Sequence, residues 1–172
     1  VSGNQRQRQR KIDGKTPMPK VYIETSFVSY LVARPSRDLI MAARQQITIE
    51  WWDKERPKHE LFASEVVLQE AQRGDQSEIA KRMVALADLP VLDTPESAEQ
   101  LAGMLIARHA LPEKAFLDAL HIAVATVHGM DYLLTWNCKH IANIAMRGAI
   151  EKTCRAAGYE PPAIGTPEEF GD

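Results

Sequence analysis

Cysteine is scarce in this chain, with Cys138 and Cys154 the two present. Their spacing makes neither a zinc-ligand pattern nor a redox pair, which argues against a disulfide scaffold and fits free thiols in a reducing cytoplasm. Long apolar runs are also missing. No stretch approaches the roughly 18 uninterrupted apolar residues that a membrane span needs, so no span is expected and the expected location is cytoplasmic. The first residues carry Arg6, Arg8, Arg10 and Lys11 among glutamines, without the apolar segment that follows the positive end of a signal peptide. Residues 1–18 are therefore expected to be a disordered arm or a remnant of an over-extended reading frame, with Met18 as the natural start. An excess of positive charge is absent too: 21 Lys and Arg face 23 Asp and Glu, a net charge of −2. That removes the global basic field of many nucleic-acid binders, although a carboxylate site that holds a cation inverts the local sign where a phosphate sits. Internal repeats are lacking, which excludes a solenoid.

What is present is an ordinary globular balance, 45% hydrophobic and 26% charged over 172 residues, enough for one core. Residues 19–158 are expected to form that domain, and 159–172 a tail with a short strand at Ala163-Ile164. Lys20 to Ile23 reads as a first strand ending at Glu24, with Thr25 and Ser26 placed to cap the next helix. Ser36 is expected to cap a helix whose apolar stripe is Leu39, Ile40, Ala43, Ile47 and Trp51, with Trp51 and Trp52 dividing into core and rim. Glu60 to Ala63 forms a second strand, and Ser64 caps a helix to about Arg73. Asp75 and Glu78 suggest a reciprocal cap for a helix from Gln76 to Ala87. A third strand at Pro90 to Leu92 precedes a helix opened by Thr94-Pro95-Glu96. The helix after Pro112-Glu113 is apolar on most of its surface and should be the most buried. Tyr132 to Thr135 makes a fourth strand, and a last helix spans Ala142 to Ala157 with a break at Gly148. Strands alternating with helices indicate an α/β/α sandwich around a mainly parallel sheet of four to five strands. Sites in such sheets form beyond the carboxyl ends of the strands.

Three carboxylates and one amide stand out by position. Glu24 ends the first strand, Glu70 lies near the carboxyl end of its helix, Asp118 interrupts the most apolar helix, and Asn137 follows the fourth strand. Oxygen ligands from separate segments suit a hard cation such as magnesium or manganese. Asp118 is the most telling, because burying a carboxylate without a partner is costly; the alternative is a structural pair with Lys114 or a cap on a nearby loop. Glu24 alone is also what a helix opening uses, and solvent alone is enough for Glu70. Glu65 competes with Glu70 but falls in a first turn, where an acid is simply a good opener. His121 and His140 are accessory candidates, although a lone histidine is more often a structural residue.

These segments resemble the PIN-domain family of toxin-type nucleases. Val21-Tyr22-Ile23-Glu24-Thr25-Ser26 is similar to the family's opening strand, in which an aspartate usually stands where Glu24 does. Ser64-Glu65-Val66-Val67-Leu68-Gln69-Glu70 resembles its second motif and favours Glu70 as the ligand. Asp118 through Ala125 is similar to the third motif, and Tyr132 to Asn137 to the fourth. The resemblance implies a ribonuclease dependent on Mg2+ or Mn2+, with Glu24, Glu70 and Asp118 holding the metal and Asn137 completing the catalytic set. It also implies an RNA substrate, a homodimer and a small antitoxin encoded beside a toxin. Arg34, Arg37, Arg73 and Lys139 are phosphate-contact candidates from their closeness in sequence to the motifs; an ordinary solvated surface is the alternative. Two departures matter: Glu24 is one methylene longer than aspartate, and Asn137 adds no charge. Magnesium is strict about geometry, so manganese is expected to support activity better. The rivals are a PIN-like binding module that has lost the metal, and a phosphatase with a strand-end nucleophile, for which Ser26 stands where a second acid is wanted.

Overall fold

The computed structural model describes residues 17–170, and all of the expected arm at 1–18 but its last two residues lies outside them. Five strands form one parallel sheet: β1 Lys20–Ile23, β2 Glu60–Ser64, β3 Val91–Leu92, β4 Tyr132–Leu134 and β5 Ala163–Gly165. The order is β3-β2-β1-β4-β5, so the chain winds outward from β1 on one side and then on the other. β1 is central, with Tyr22 opposite Phe62 on β2 and Leu133 on β4. Strands covered on both faces need continuous apolar sequence, and Val21, Tyr22, Ile23, Leu133 and Leu134 are all buried. The direction of winding reverses between β1 and β4, and the crevice at their carboxyl ends is where such folds place ligands.

The helices are α1 Thr25–Val32, α2 Leu39–Lys54, α3 Glu65–Ala71, α4 Gln76–Leu86, α5 Glu96–Ala107, α6 Phe116–Val127 and α7 Ile144–Ala156. α1 packs on α2, α3 and α4, while α5 packs on α6 and α7. This is the expected three-layer α/β/α arrangement. α6 is the most buried helix, with every residue from Ala119 to Thr126 inside. Fully burying Ile122 or Val124 contributes roughly 1.5–3 kcal/mol each. Its alanines, Ala119, Ala123 and Ala125, let the neighbouring elements approach closely. Gly129 stands at φ +67° just past the end of α6, a left-handed position that an L side chain enters only at a cost. No described helix is long and apolar enough to cross a membrane.

Three local expectations are corrected. The helix cap before α2 is Asp38, whose carboxylate accepts from Met41 N at 2.9 Å, whereas the Ser36 hydroxyl accepts from Asp38 N, ahead of the helix. Of the apolar stripe expected on α2 only Trp51 reaches the core: Leu39 and Ile40 are 84% and 68% exposed, and the residues buried beside Trp51 are Gln45 and Thr48. Gln45 belongs inside because it satisfies backbone groups of the preceding loop, accepting from Ser36 N and donating to Arg34 O. Thr48 accepts from the Trp136 indole at 2.7 Å. Finally, α7 runs through Gly148 unbroken; an exposed helical glycine costs only about 1 kcal/mol. Trp51 is buried and Trp52 half-buried, one core and one rim position.

Candidate metal site at the carboxyl ends of the strands

Glu24 is the first residue beyond β1 and the N-cap of α1. Its amide donates to Leu134 O at 3.1 Å, which ties it across the crevice to β4. One oxygen, Oε2, accepts from Ser26 N at 3.0 Å, from Ser26 Oγ, and from Thr135 Oγ1 at 2.7 Å. Among the described residues no hydrogen bond reaches Oε1, whose near neighbour is His121 Nε2 at 3.9 Å. The carboxylate is 5% exposed. The expected capping by Thr25 and Ser26 is therefore corrected: Glu24 caps the helix, and the two hydroxyls serve the site. Ser26 Oγ also accepts from Trp136 N at 2.8 Å, linking the two strand ends again.

Glu70 reaches the crevice from the last turn of α3, a helix begun by Ser64, whose Oγ accepts from Val67 N. Its Oε1 accepts from Thr25 Oγ1 at 2.8 Å and from His121 Nε2. No described hydrogen bond reaches its Oε2. Burial pushes the Glu70 carboxyl up, but the His121 hydrogen bond and charge, with help from Thr25 and Arg73, outweigh it and hold it below the usual glutamate range. Burial likewise pushes His121 down, and the Glu70 bond together with the charges of Glu24, Glu70 and Asp118 turns the net shift upward. Tyr22, which hydrogen-bonds His121 Nδ1 at 2.7 Å, is driven by burial far above the ordinary phenol range and stays protonated.

Asp118 lies in the first turn of α6 and is held differently. Oδ1 accepts from Asn137 Nδ2 at 3.0 Å and Oδ2 from His140 Nδ1 at 2.6 Å. Asn137 in turn accepts His140 N on Oδ1 at 3.0 Å. The pair with Lys114 weighed from sequence is not the one formed; the partners are Asn137 and His140. Glu65 is exposed and accepts from Thr94 N at 3.0 Å, outside the site.

The donor set suits a hard divalent cation. Single ligand atoms of Glu24, Glu70 and His121 lie within 4.8 Å of one another, close to the span of opposed ligands on an ion with bonds of about 2.1 Å. Asp118 is not one of those three, though its charge acts on the His121 ring. Thr135, Ser26, Thr25 and Tyr22 escaped sequence reasoning as site residues, because hydroxyls at strand ends and in turns are read first as caps and Tyr22, inside β1, reads as core. Of the basic candidates, Arg73 is exposed and near enough for its charge to act on Glu70. Arg34 is exposed and lies 4.0 Å from Glu78; Arg37 and Lys139 are exposed.

Comparison with known proteins gives the family and the fold. A family model described as the PIN domain matches residues 21–142. The fold is similar to that of VapC20 of Mycobacterium tuberculosis, a sarcin–ricin loop cleaving toxin, with a TM-score of 0.54 and 22% identity over 71% of this chain and 93% of that one. It is also similar to VapBC2 of Rickettsia felis bound to a DNA fragment from its promoter, with a TM-score of 0.54 and 14% identity over 86% of this chain and 98% of that one. No curated protein matches the sequence.

Proposed function

Since the chain belongs to the PIN-domain family, we propose that it is a divalent-metal-dependent ribonuclease acting as the toxin of a toxin–antitoxin pair. One observation carries the reading: Glu24 and Glu70 meet at the switch-point crevice, each with one oxygen tied down and the other without a hydrogen bond among the described residues. Carboxylates arranged so are preorganised to receive a cation, and Glu24 keeps Oε1 for it while Oε2 caps α1. Glu24, Glu70 and Asp118 would hold Mg2+ or Mn2+. A cation bound there supplies positive charge to a phosphate and makes water a better nucleophile. The rest is the protein's work: Ser26 and Thr135 fix Glu24, Thr25 and His121 fix Glu70, and Asn137 and His140 orient Asp118. Arg73 is the basic group best placed to meet a phosphate beside Glu70, with Arg34, Arg37 and Lys139 as further contacts.

By analogy of fold with the VapBC pair, a small antitoxin is the expected partner, and the family resemblance makes a homodimer the expected assembly. The discriminating experiment incubates purified protein with single-stranded RNA in Mg2+, in Mn2+ and in chelator. Cleavage in either metal that chelator abolishes is the expected result, stronger in Mn2+. No cleavage in either metal would leave a binding module.

A further inference from the structure

We propose that His121 is a positioning residue: a buried chain of hydroxyls from Ser64 through Tyr22 fixes its ring so that Nε2–H grips Glu70 Oε1 and leaves Oε2 turned to the cation. The proposal rests on the metal-dependent reading above and adds to it a group that is not itself a ligand.

The chain joins the elements that build the site. Ser64 ends β2, Tyr22 is in β1, His121 is in α6 and Glu70 in α3. The first three are 0%, 0% and 1% exposed, so water cannot serve as a spare partner. Val67 N donates to Ser64 Oγ at 3.2 Å, Ser64 Oγ and Tyr22 Oη are 2.7 Å apart, and Tyr22 Oη and His121 Nδ1 are 2.7 Å apart. At the far end Nε2 meets Glu70 Oε1.

The two ends set the direction of the hydrogens. An ionised carboxylate only accepts, so Nε2 must carry the proton that faces Glu70. In a neutral ring Nδ1 is then the acceptor; Tyr22 donates to it, Ser64 donates to Tyr22, and Ser64 receives the Val67 amide. Every polar group in the chain is satisfied. If the ring gains a second proton, Nδ1–H donates to Tyr22, Tyr22 donates to Ser64, and Nε2–H is unchanged. In both arrangements Nε2 has no lone pair to give. This separates His121 from Glu24 and Glu70, although all three lie within 4.8 Å. Glu70 needs such a holder because it sits near the carboxyl end of α3, where the helix dipole opposes a negative charge.

Two measurements test this. In the first, histidine ring 1H–15N spectra are recorded during titration with diamagnetic Mg2+, the His121 signals being identified by their loss in His121→Gln. The Nε2–H resonance is expected to shift and persist at saturation; its disappearance, with the nitrogen shift of a metal-bound ring, would make His121 a ligand and overturn the proposal. In the second, Mn2+ affinity is measured by calorimetry on folded variants. His121→Met, with no donor, is expected to bind about tenfold more weakly, the usual cost of losing a group that orients a ligand. His121→Gln keeps an amide donor and should stay within about threefold, and Tyr22→Phe should lose about threefold to tenfold, the worth of one buried hydrogen bond. Wild-type affinity in Tyr22→Phe or in a folded His121→Met overturns the proposal. If His121→Met does not fold, Tyr22→Phe decides. A wild-type protein that binds no Mn2+ at all defeats the metal-dependent reading, and this proposal with it.

Discussion

The two halves of the site are prepared to different degrees. Around the end of β1, the sheet side, Glu24 and the Glu70 that α3 brings to it are each held through one oxygen, by hydroxyls, a backbone amide and the imidazole that α6 sends across, and no described hydrogen bond reaches the other oxygen. On the helix side, both oxygens of Asp118 carry a nitrogen donor, Asn137 on one and His140 on the other. A carboxylate oxygen has room for a second interaction, so Asp118 can keep its partners while it meets an ion. The contrast is between acids with an oxygen to spare and an acid with both oxygens engaged. Glu24 is locked by the β1–β4 junction, whereas Asp118 depends on a short segment after β4 in which one asparagine holds both the acid and His140 N.

The largest break in this comparison is expected from Glu24→Gln. Ser26 and Thr135 need an acceptor, so the amide oxygen takes the tied position and the NH2 group is turned into the free one, facing the cation with positive charge. Metal-dependent RNA cleavage should fall by about a hundredfold or more, beyond the 10- to 100-fold typical of losing a mere orienting partner. Glu24→Asp should retain or raise cleavage. A glutamine variant with full metal-dependent activity would remove Glu24 from the ligand set. On the helix side, Asn137→Ala takes away both the donor to Asp118 and the acceptor for His140 N. Mn2+ affinity should drop by about tenfold with little change in thermal stability, and calorimetry beside a melting curve reads both. Equal affinity would show that Asp118 needs no such support.

Ser64→Ala acts on the sheet side but through stability. It removes the cap of α3 and the end of the hydroxyl chain. Losing a capping hydroxyl costs about 1–2 kcal/mol, a fall of roughly 2–8 °C in Tm for a chain of this size. An unchanged melting temperature would mean that the chain stores no stability.

Much of this was legible in the residues, for reasons that differ by element. β1, β4 and α6 are buried on nearly all sides, so their apolar content, broken by Asp118, announced both the elements and the acid that needed a partner. Glu70 was separable from Glu65 because first-turn acids have an ordinary role, and Glu65 does hold a neighbouring loop. α2 misled because its buried face is polar: Gln45 and Thr48 satisfy a loop and an indole from distant positions in the chain, which no local periodicity reports. The partners of Asp118 were hidden for the same reason. His140 and Asn137 come to it across a fold, and sequence neighbours such as Lys114 looked nearer. The Ser64–Tyr22–His121 chain joins three motifs, each complete without the others as a pattern of residues.

The smallest expected effect is a dependence of stability on pH in chelated protein, and it separates the halves again because the shifted groups are on the sheet side. Glu70 is lowered in the fold, so its contribution is present above the ordinary glutamate value of about 4.3 and is lost as pH falls through its folded value. His121 is raised in the fold, so its contribution is complete below the ordinary histidine value of about 6.5 and is lost as pH rises through its folded value. The two are partners in one interaction, and stability attributable to the pair should be greatest between about pH 4.3 and 6.5 and decline on either side. Melting curves in chelator from below that range to well above it, compared with His121→Gln, which has no titrating ring at that position, read the effect. The alkaline decline should be smaller in the glutamine variant. A wild-type curve with the same alkaline slope as the variant would mean that His121 carries no linked proton on the sheet side.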